Sequence, residues 1–129
     1  MVPVELRYAS THEWCRVEGD HVLVGLTEYA AAAIGNVIYV ELPEAGDDVL
    51  VEVPFGEIEG LGGVKDLISP TDGRVVEVNS RVVLTPDLLA KDPYDRGWLI
   101  RVKPDSLAPM ENLLSAADYE ERQRKRKGR

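Results

Sequence analysis

The side chains of this sequence that chemistry could use are two carboxylates, Glu13 and Asp66, two histidines, His12 and His21, a single cysteine, Cys15, and a lysine, Lys65, beside a glycine-rich run. Two carboxylates do acid–base work only when the fold brings them together in unlike environments. Nothing in the spacing of Glu13 and Asp66 requires that, and both are expected as solvated groups beside a hairpin. Neither histidine has a Cys or His at metal-ligand spacing, so no metal site is expected and His21 reads as a turn residue. Cys15 sits between Trp14 and Arg16 in a strand-like alternation, where a buried, inert thiol is expected, because a reactive one wants an electropositive and partly exposed setting. With no nucleophile–base pair in sight, the sequence predicts no catalytic residues and no enzyme.

The run Gly60-Leu61-Gly62-Gly63 is followed by Val64-Lys65-Asp66. It is not a phosphate cradle, since it has neither the G-x-G-x-x-G pattern nor a helix after it. It is good turn material, and three glycines predict a mobile hairpin tip at which Gly62→Lys costs little if the turn does not require positive φ there. With the apex near position 62, Glu59 and Lys65 face each other across the strands, an exposed ion pair worth about 0–1 kcal/mol.

The elements that must position these residues are mostly short strands. Alternation on either side of Glu18-Gly19-Asp20-His21 predicts a hairpin of 14–18 with 22–26. Further strands are predicted at 37–42, 49–53, 55–59, 64–68, 75–78 and 99–102, a number and shortness that indicate a sandwich or barrel. Thr27 is placed to cap a helix over 28–34 with Gly35 as its stop, Thr85 to cap a turn from Pro86, and Ser115 with Asp118 to begin a last helix. Gly35, Val37 and Val40 are echoed by Gly73, Val75 and Val78, each group read as leading into a turn and a further strand, which points to two similar sheets. Trp14, Trp98 and Phe55 read as core anchors, and Asp92-Pro93-Tyr94 as a rigid turn.

The chain has 129 residues and a net charge of −8, enough length for one domain and one core. Residues 120–129 hold six Lys/Arg against two Glu, a net +4, which leaves −12 for residues 1–119. An acidic body argues against nucleic acid, and the basic end reads as a solvated, fraying helix terminus outside a domain of 1–119. No stretch has the length of a membrane span and the first residues lack a signal-peptide pattern, so a cytoplasmic protein without membrane partners is expected.

The run from Phe55 to Pro70 resembles the lipoate-attachment hairpin of the glycine cleavage system H-protein family. That pattern is Phe-Gly, two residues, Glu-Ser-Val-Lys, two residues, Ser-Asp-Leu, then Pro three residues on. Phe55, Gly56, Glu59, Asp66, Leu67 and Pro70 fall on it without a gap. The family's lysine maps to Gly62, its first Ser to Gly60 and its second Ser to Lys65. Segments along the rest of the chain match in order: Thr11-His12-Glu13-Trp14, Val17 to Asp20, Val24 to Ala30, Val40 to Gly46, Val76 to Asn79, Asp92-Pro93-Tyr94 and Gly97 to Ile100. The resemblance implies a mainly β barrel-sandwich of two antiparallel sheets, as in lipoyl and biotinyl carriers, with a few short helices including a C-terminal one. It also implies an arm cleft at Thr11, Glu13, Ala33 and Asp66, where Ala33 replaces a position that is often polar.

The resemblance further implies a one-carbon carrier of glycine decarboxylation with glycine decarboxylase, the aminomethyltransferase, dihydrolipoyl dehydrogenase or a lipoate ligase as partners. Gly62 has no amine to carry lipoate. The expectation is therefore a non-catalytic, armless relative without cofactor that acts by binding a partner. The alternative is a carrier lipoylated at Lys65.

Overall fold

The computed structural model describes residues 1–127. It is mainly β, as expected, with two antiparallel sheets. The larger takes β1 (Arg7–Tyr8), β2 (Glu13–Glu18), β3 (His21–Leu26), β5 (Asp48–Val49), β8 (Gly73–Val78) and β9 (Ile100–Pro104) in the order β1-β2-β3-β9-β8-β5. The smaller is β4-β6-β7, from β4 (Val37–Glu41), β6 (Pro54–Gly60) and β7 (Gly63–Ile68). Helices α1 (Glu28–Ile34), α2 (Ser80–Leu84), α3 (Leu88–Lys91) and α4 (Ala116–Lys127), with a 3-10 turn at Ala108–Asn112, cover the ends and edges. None of the described helices is long and apolar enough to cross a membrane.

Local chemistry accounts for most of these boundaries. The β2–β3 turn closes at Glu18 opposite His21, with Gly19 at φ 63, a backbone that costs glycine nothing. Thr27 caps α1 by accepting from the Ala30 amide, and Gly35 at φ 79 ends it. Opposite Trp14 stands Gly25, where a Cβ would fall 2.2 Å from the indole, so the ring lies flat over β3 and donates from Nε1 to the Pro93 carbonyl at 3.0 Å. Trp14 and Cys15 are buried; Trp98 and Phe55 are half-buried against the core. Burial pushes the Cys15 thiol well above its usual range, in keeping with an inert role.

The echoed glycine–valine segments lie one in each sheet, as β4 and β8. In a regular strand, residues three apart face opposite sides. Here the pairing slips by one residue between Val37 and Tyr39 against β6, and between Val75 and Glu77 against β9. The extra residue at each bulge returns the second valine to the core side, so Val37, Val40 and Val75 are buried and Val78 is half-buried against the core.

Three expectations are corrected. Of 49–53 only Val49 pairs in a strand, because Glu52 adopts φ 66 and the Val51 and Glu52 amides turn to Asp72 Oδ1 and the Ser69 carbonyl, both at 2.8 Å. The segment after Asn79 is helical rather than extended, since Asn79 accepts from the Arg81 amide and caps α2; the turn from Pro86 forms as expected, the Thr85 amide closing α2 on the Arg81 carbonyl at 2.7 Å while its carbonyl accepts from the Leu88 amide at 3.1 Å. The boundary drawn after residue 119 falls inside α4. Tyr119, Glu120 and Gln123 are buried, and Glu120 accepts from the Val2 amide at 3.0 Å and from the Tyr29 hydroxyl at 2.8 Å. Helical spacing turns these positions toward the N-terminal segment while Arg122, Arg124, Lys125 and Arg126 face water. The expected tail's last residues, 128 and 129, lie outside the described residues.

Candidate functional site

The tip of the β6–β7 hairpin is a two-residue turn, Leu61-Gly62, closed by Gly60 opposite Gly63. The last carbonyls of a helix have no partner within it. The hairpin supplies one: the Gly62 amide donates to the Ile34 carbonyl of α1 at 2.7 Å, and the Leu61 amide to the Asn36 carbonyl at 3.2 Å. A Cβ on Gly62 would stand 2.7 Å from both the Ala33 and Ile34 carbonyl oxygens, and one on Gly60 2.4 Å from Ile34 Cγ2. The glycines thus serve close approach of two backbones. The tip is docked on α1 rather than mobile, and a side chain at Gly62 is not cheap.

The short turn also sets the face of every residue beyond it. Glu59 lies opposite Val64, and Lys65 lies opposite Ile58, which is fully buried. Partners on paired strands point to the same side, so Lys65 turns inward and the expected Glu59–Lys65 pair does not form. Its ammonium donates instead to Glu13 Oε2 at 3.0 Å and to the Asp66 carbonyl at 2.9 Å.

Glu13, expected in solvent, is fully buried at the start of β2. The cost of burying a carboxylate is met by its donors. Oε1 accepts from the Thr11 hydroxyl, and Oε2 from the Ile68 amide at 3.0 Å as well as from Lys65. The Ile68 amide was not legible in the sequence, because a backbone donor carries no residue signature. Thr11 and Ile68 also border a surface groove of about 750 Å³ that runs past Leu113, Leu114 and Arg122.

Of the four positions assigned to a cleft by resemblance, Thr11 and Glu13 come together. Asp66 contributes only its carbonyl, for its carboxylate lies on the outward face in one row with Glu57 and Glu41. Ala33 is exposed and its carbonyl lies against the tip. Glu13 and Asp66 are therefore no acid–base pair. Among the described residues no group of three or more Asp, Glu, His or Cys is placed to hold a metal.

Behind Glu13 runs a hydrogen-bonded chain that sequence reading missed. His12, at φ 85, meets the Tyr119 hydroxyl through Nδ1 at 2.6 Å, and that hydroxyl meets Thr27 Oγ1 at 2.7 Å. Burial, with Lys65 and Arg126 nearby, pushes His12 down to about 4, so the imidazole is neutral. The chain ties α4 to the Thr27 cap of α1 and to the residue preceding Glu13.

A family model described as Glycine cleavage H-protein matches residues 6–126. The chain is 46% identical over 118 residues to the glycine cleavage system H protein of Geobacillus kaustophilus, covering 92% of this chain and 93% of that one. It is 43% identical over 118 residues to the protein of the same name from Acinetobacter baumannii, covering 92% and 95%. The crystal structure of a glycine cleavage system H protein from Mycobacterium marinum superposes with a TM-score of 0.87 at 38% identity, over 95% of this chain and 98% of that chain.

Proposed function

The chain belongs to the glycine cleavage H-protein family, and from that premise we propose that it is an armless member: a non-catalytic module that acts by docking on a partner in glycine cleavage rather than by carrying a lipoyl group. The observation that carries this reading is the fate of the two candidate attachment points. A carrier needs an amine projecting from a hairpin apex. Gly62 has none, and a Cβ there meets two backbone oxygens at 2.7 Å. Lys65 has one, but it is turned inward onto a fully buried carboxylate, with its side chain only 19% exposed. These residues do not fit a covalently held lipoyl arm.

The docking half of the reading is supported by the outer face of the small sheet. Glu41, Glu57 and Asp66 stand in one cross-strand row, Glu59 lies in the next beside Tyr39 and Val64, and Leu61 projects at the tip with 76% of its surface exposed. Like charges held side by side cost stability, and a basic partner surface relieves that cost. Glycine decarboxylase, the aminomethyltransferase, dihydrolipoyl dehydrogenase and a lipoate ligase are the partners this reading allows, in the cytoplasm, with the chain as regulator or scaffold.

The test is replacement of an authentic H protein in a reconstituted glycine cleavage system. The chain supports no turnover by itself, and at excess it inhibits turnover by the authentic protein, less so as salt screens the charges beyond about 8 Å. Robust turnover refutes the armless reading. No turnover with no inhibition at any ratio removes these enzymes as partners.

A second reading, a working aminomethyl carrier lipoylated at Lys65, is favoured by the names of the relatives. It requires Lys65 to leave Glu13 and turn outward, and a lipoyl-sized addition on Lys65 in native protein decides for it.

A further inference from the structure

We infer that the outer face of the small sheet is a docking surface for a second copy of this chain, whose α4 supplies the basic side of the contact. The sheet presents Glu41, Glu57 and Asp66 in one cross-strand row, with Glu59, Tyr39 and Val64 in the next. Tyr39 is 47% and Val64 59% exposed. Glu41 accepts from the neutral Tyr39 hydroxyl at 3.1 Å. Among the described residues none of the four carboxylates is in an ion pair.

The matching surface lies at the end of the same sequence. Residues 1–119 carry −12 and residues 120–129 carry +4, so each copy has an acidic body and one basic pole. On α4, Arg122, Lys125 and Arg126 stand at i, i+3 and i+4 on one exposed side, also without an ion pair among the described residues. Carboxylates of the same helix do not neutralise them. Glu121 bonds Arg124 at 2.6 Å, Glu120 is buried against Val2 and Tyr29, and Asp118 stands unpaired, one turn nearer the helix start.

The two surfaces share one pitch. Side chains one helical turn apart are about 5–6 Å from each other, and carboxylates on neighbouring strands about 5 Å, so α4 laid across the strands matches cations to carboxylates. Long basic stems cover Val64, and a guanidinium can lie over the Tyr39 ring. The contact joins unlike patches, so it is heterologous: one end of the pair leaves a sheet face free and the other a helix. This use of the face rests on the docking reading above and holds whether or not a lipoyl group is carried.

Exposed pairs are individually weak, so the dissociation constant is on the order of 1 mM. At about 1 mM chain and about 50 mM salt, sedimentation equilibrium gives a weight-average mass about 1.5 times the single-chain 14.3 kDa. In about 1 M sodium chloride, where charge acts only within about 3 Å, the mass falls to the single-chain value. Arg122→Gln/Lys125→Gln/Arg126→Gln abolishes association. So does Glu41→Gln/Glu57→Gln/Glu59→Gln, although its net charge moves from −8 to −5 and its copies repel each other less. All six residues are exposed or half-exposed, so both variants keep the fold. An equimolar mixture of the two regains association, because each copy supplies the face that the other lacks.

A mixture no heavier than its parts overturns the inference, as does a sheet variant that associates like the wild type. Wild type that stays a single chain at about 1 mM overturns it too, and if that chain sediments with phosphatidylserine vesicles, the basic side of α4 belongs to anionic lipid instead. Inhibition of the reconstituted system is read at micromolar chain, where copies are apart, so failure of self-docking and failure of the armless reading are seen separately.

Discussion

At its tip the β6–β7 hairpin meets the body through main-chain atoms, and three residues further along it meets the body through a charged side chain. At the tip, Gly60 and Gly62 bring their backbone against Ile34 and Asn36 with no room for a Cβ. Down the strand, Lys65 reaches a buried carboxylate and satisfies it. Both contacts tie the hairpin down, one by close packing and one by charge. The difference teaches where the hairpin's only amine stands: on the side facing the core, where it neutralises Glu13, and not at the apex, where the family holds its attachment lysine.

The largest effect expected from breaking this contrast is at the charged contact. Lys65→Met leaves Glu13 buried without its cation and costs about 3–5 kcal/mol in urea unfolding at pH 7. Glu13→Gln costs less, about 1–2 kcal/mol, because the freed lysine can swing its ammonium out to water on its flexible stem. Equal costs would mean that the two charges share one environment. At the packed contact, Gly62→Lys costs about 1–3 kcal/mol, since the new Cβ must push the tip off two carbonyl oxygens and lose the 2.7 Å Gly62–Ile34 hydrogen bond. A change under 0.5 kcal/mol would show an open tip.

His12 sharpens the contrast through pH. Its folded value near 4 lies below the ordinary 6.5, so the unfolded chain binds more protons between these values and stability falls as pH drops from about 6.5 to 4. With the ring only half-buried the loss is on the order of 1–2 kcal/mol. Melting of wild type and of His12→Asn across this range reads it, Asn being tolerant of the φ 85 backbone; the variant's curve loses that slope. The smallest effect is at Glu59, which faces Val64 on the outer side. Glu59→Gln changes stability by less than 0.5 kcal/mol, and a larger loss would restore the Glu59–Lys65 pair that the register excludes.

What the sequence made legible was local or periodic. The Thr27 cap, the Gly35 stop, the Gly19 turn and the repeated glycine–valine spacing each depend on a few adjacent residues, and each lies where expected. What it hid depended on register and distance. Moving the closing pair of the hairpin to Gly60 and Gly63 puts Lys65 opposite Ile58 instead of Glu59, and with period-two geometry that single step sends the side chain to the other face. The burial of Glu13, the seat of the tip on α1 and the docking of α4 through Tyr119 and Glu120 all join residues far apart in the chain, which no local pattern encodes. Asn79 carries a local capping signal for α2, but the echo between the Gly35 and Gly73 segments pointed to a turn and a further strand there instead.

The proposed armless state is tested most directly by the intact mass of the protein purified from its own cell, followed by peptide mapping of residues 55–70. The expected mass is that of the bare chain, with Gly62 flanked by unmodified neighbours and Lys65 carrying a free amine. A lipoyl-sized addition on Lys65 would contradict it.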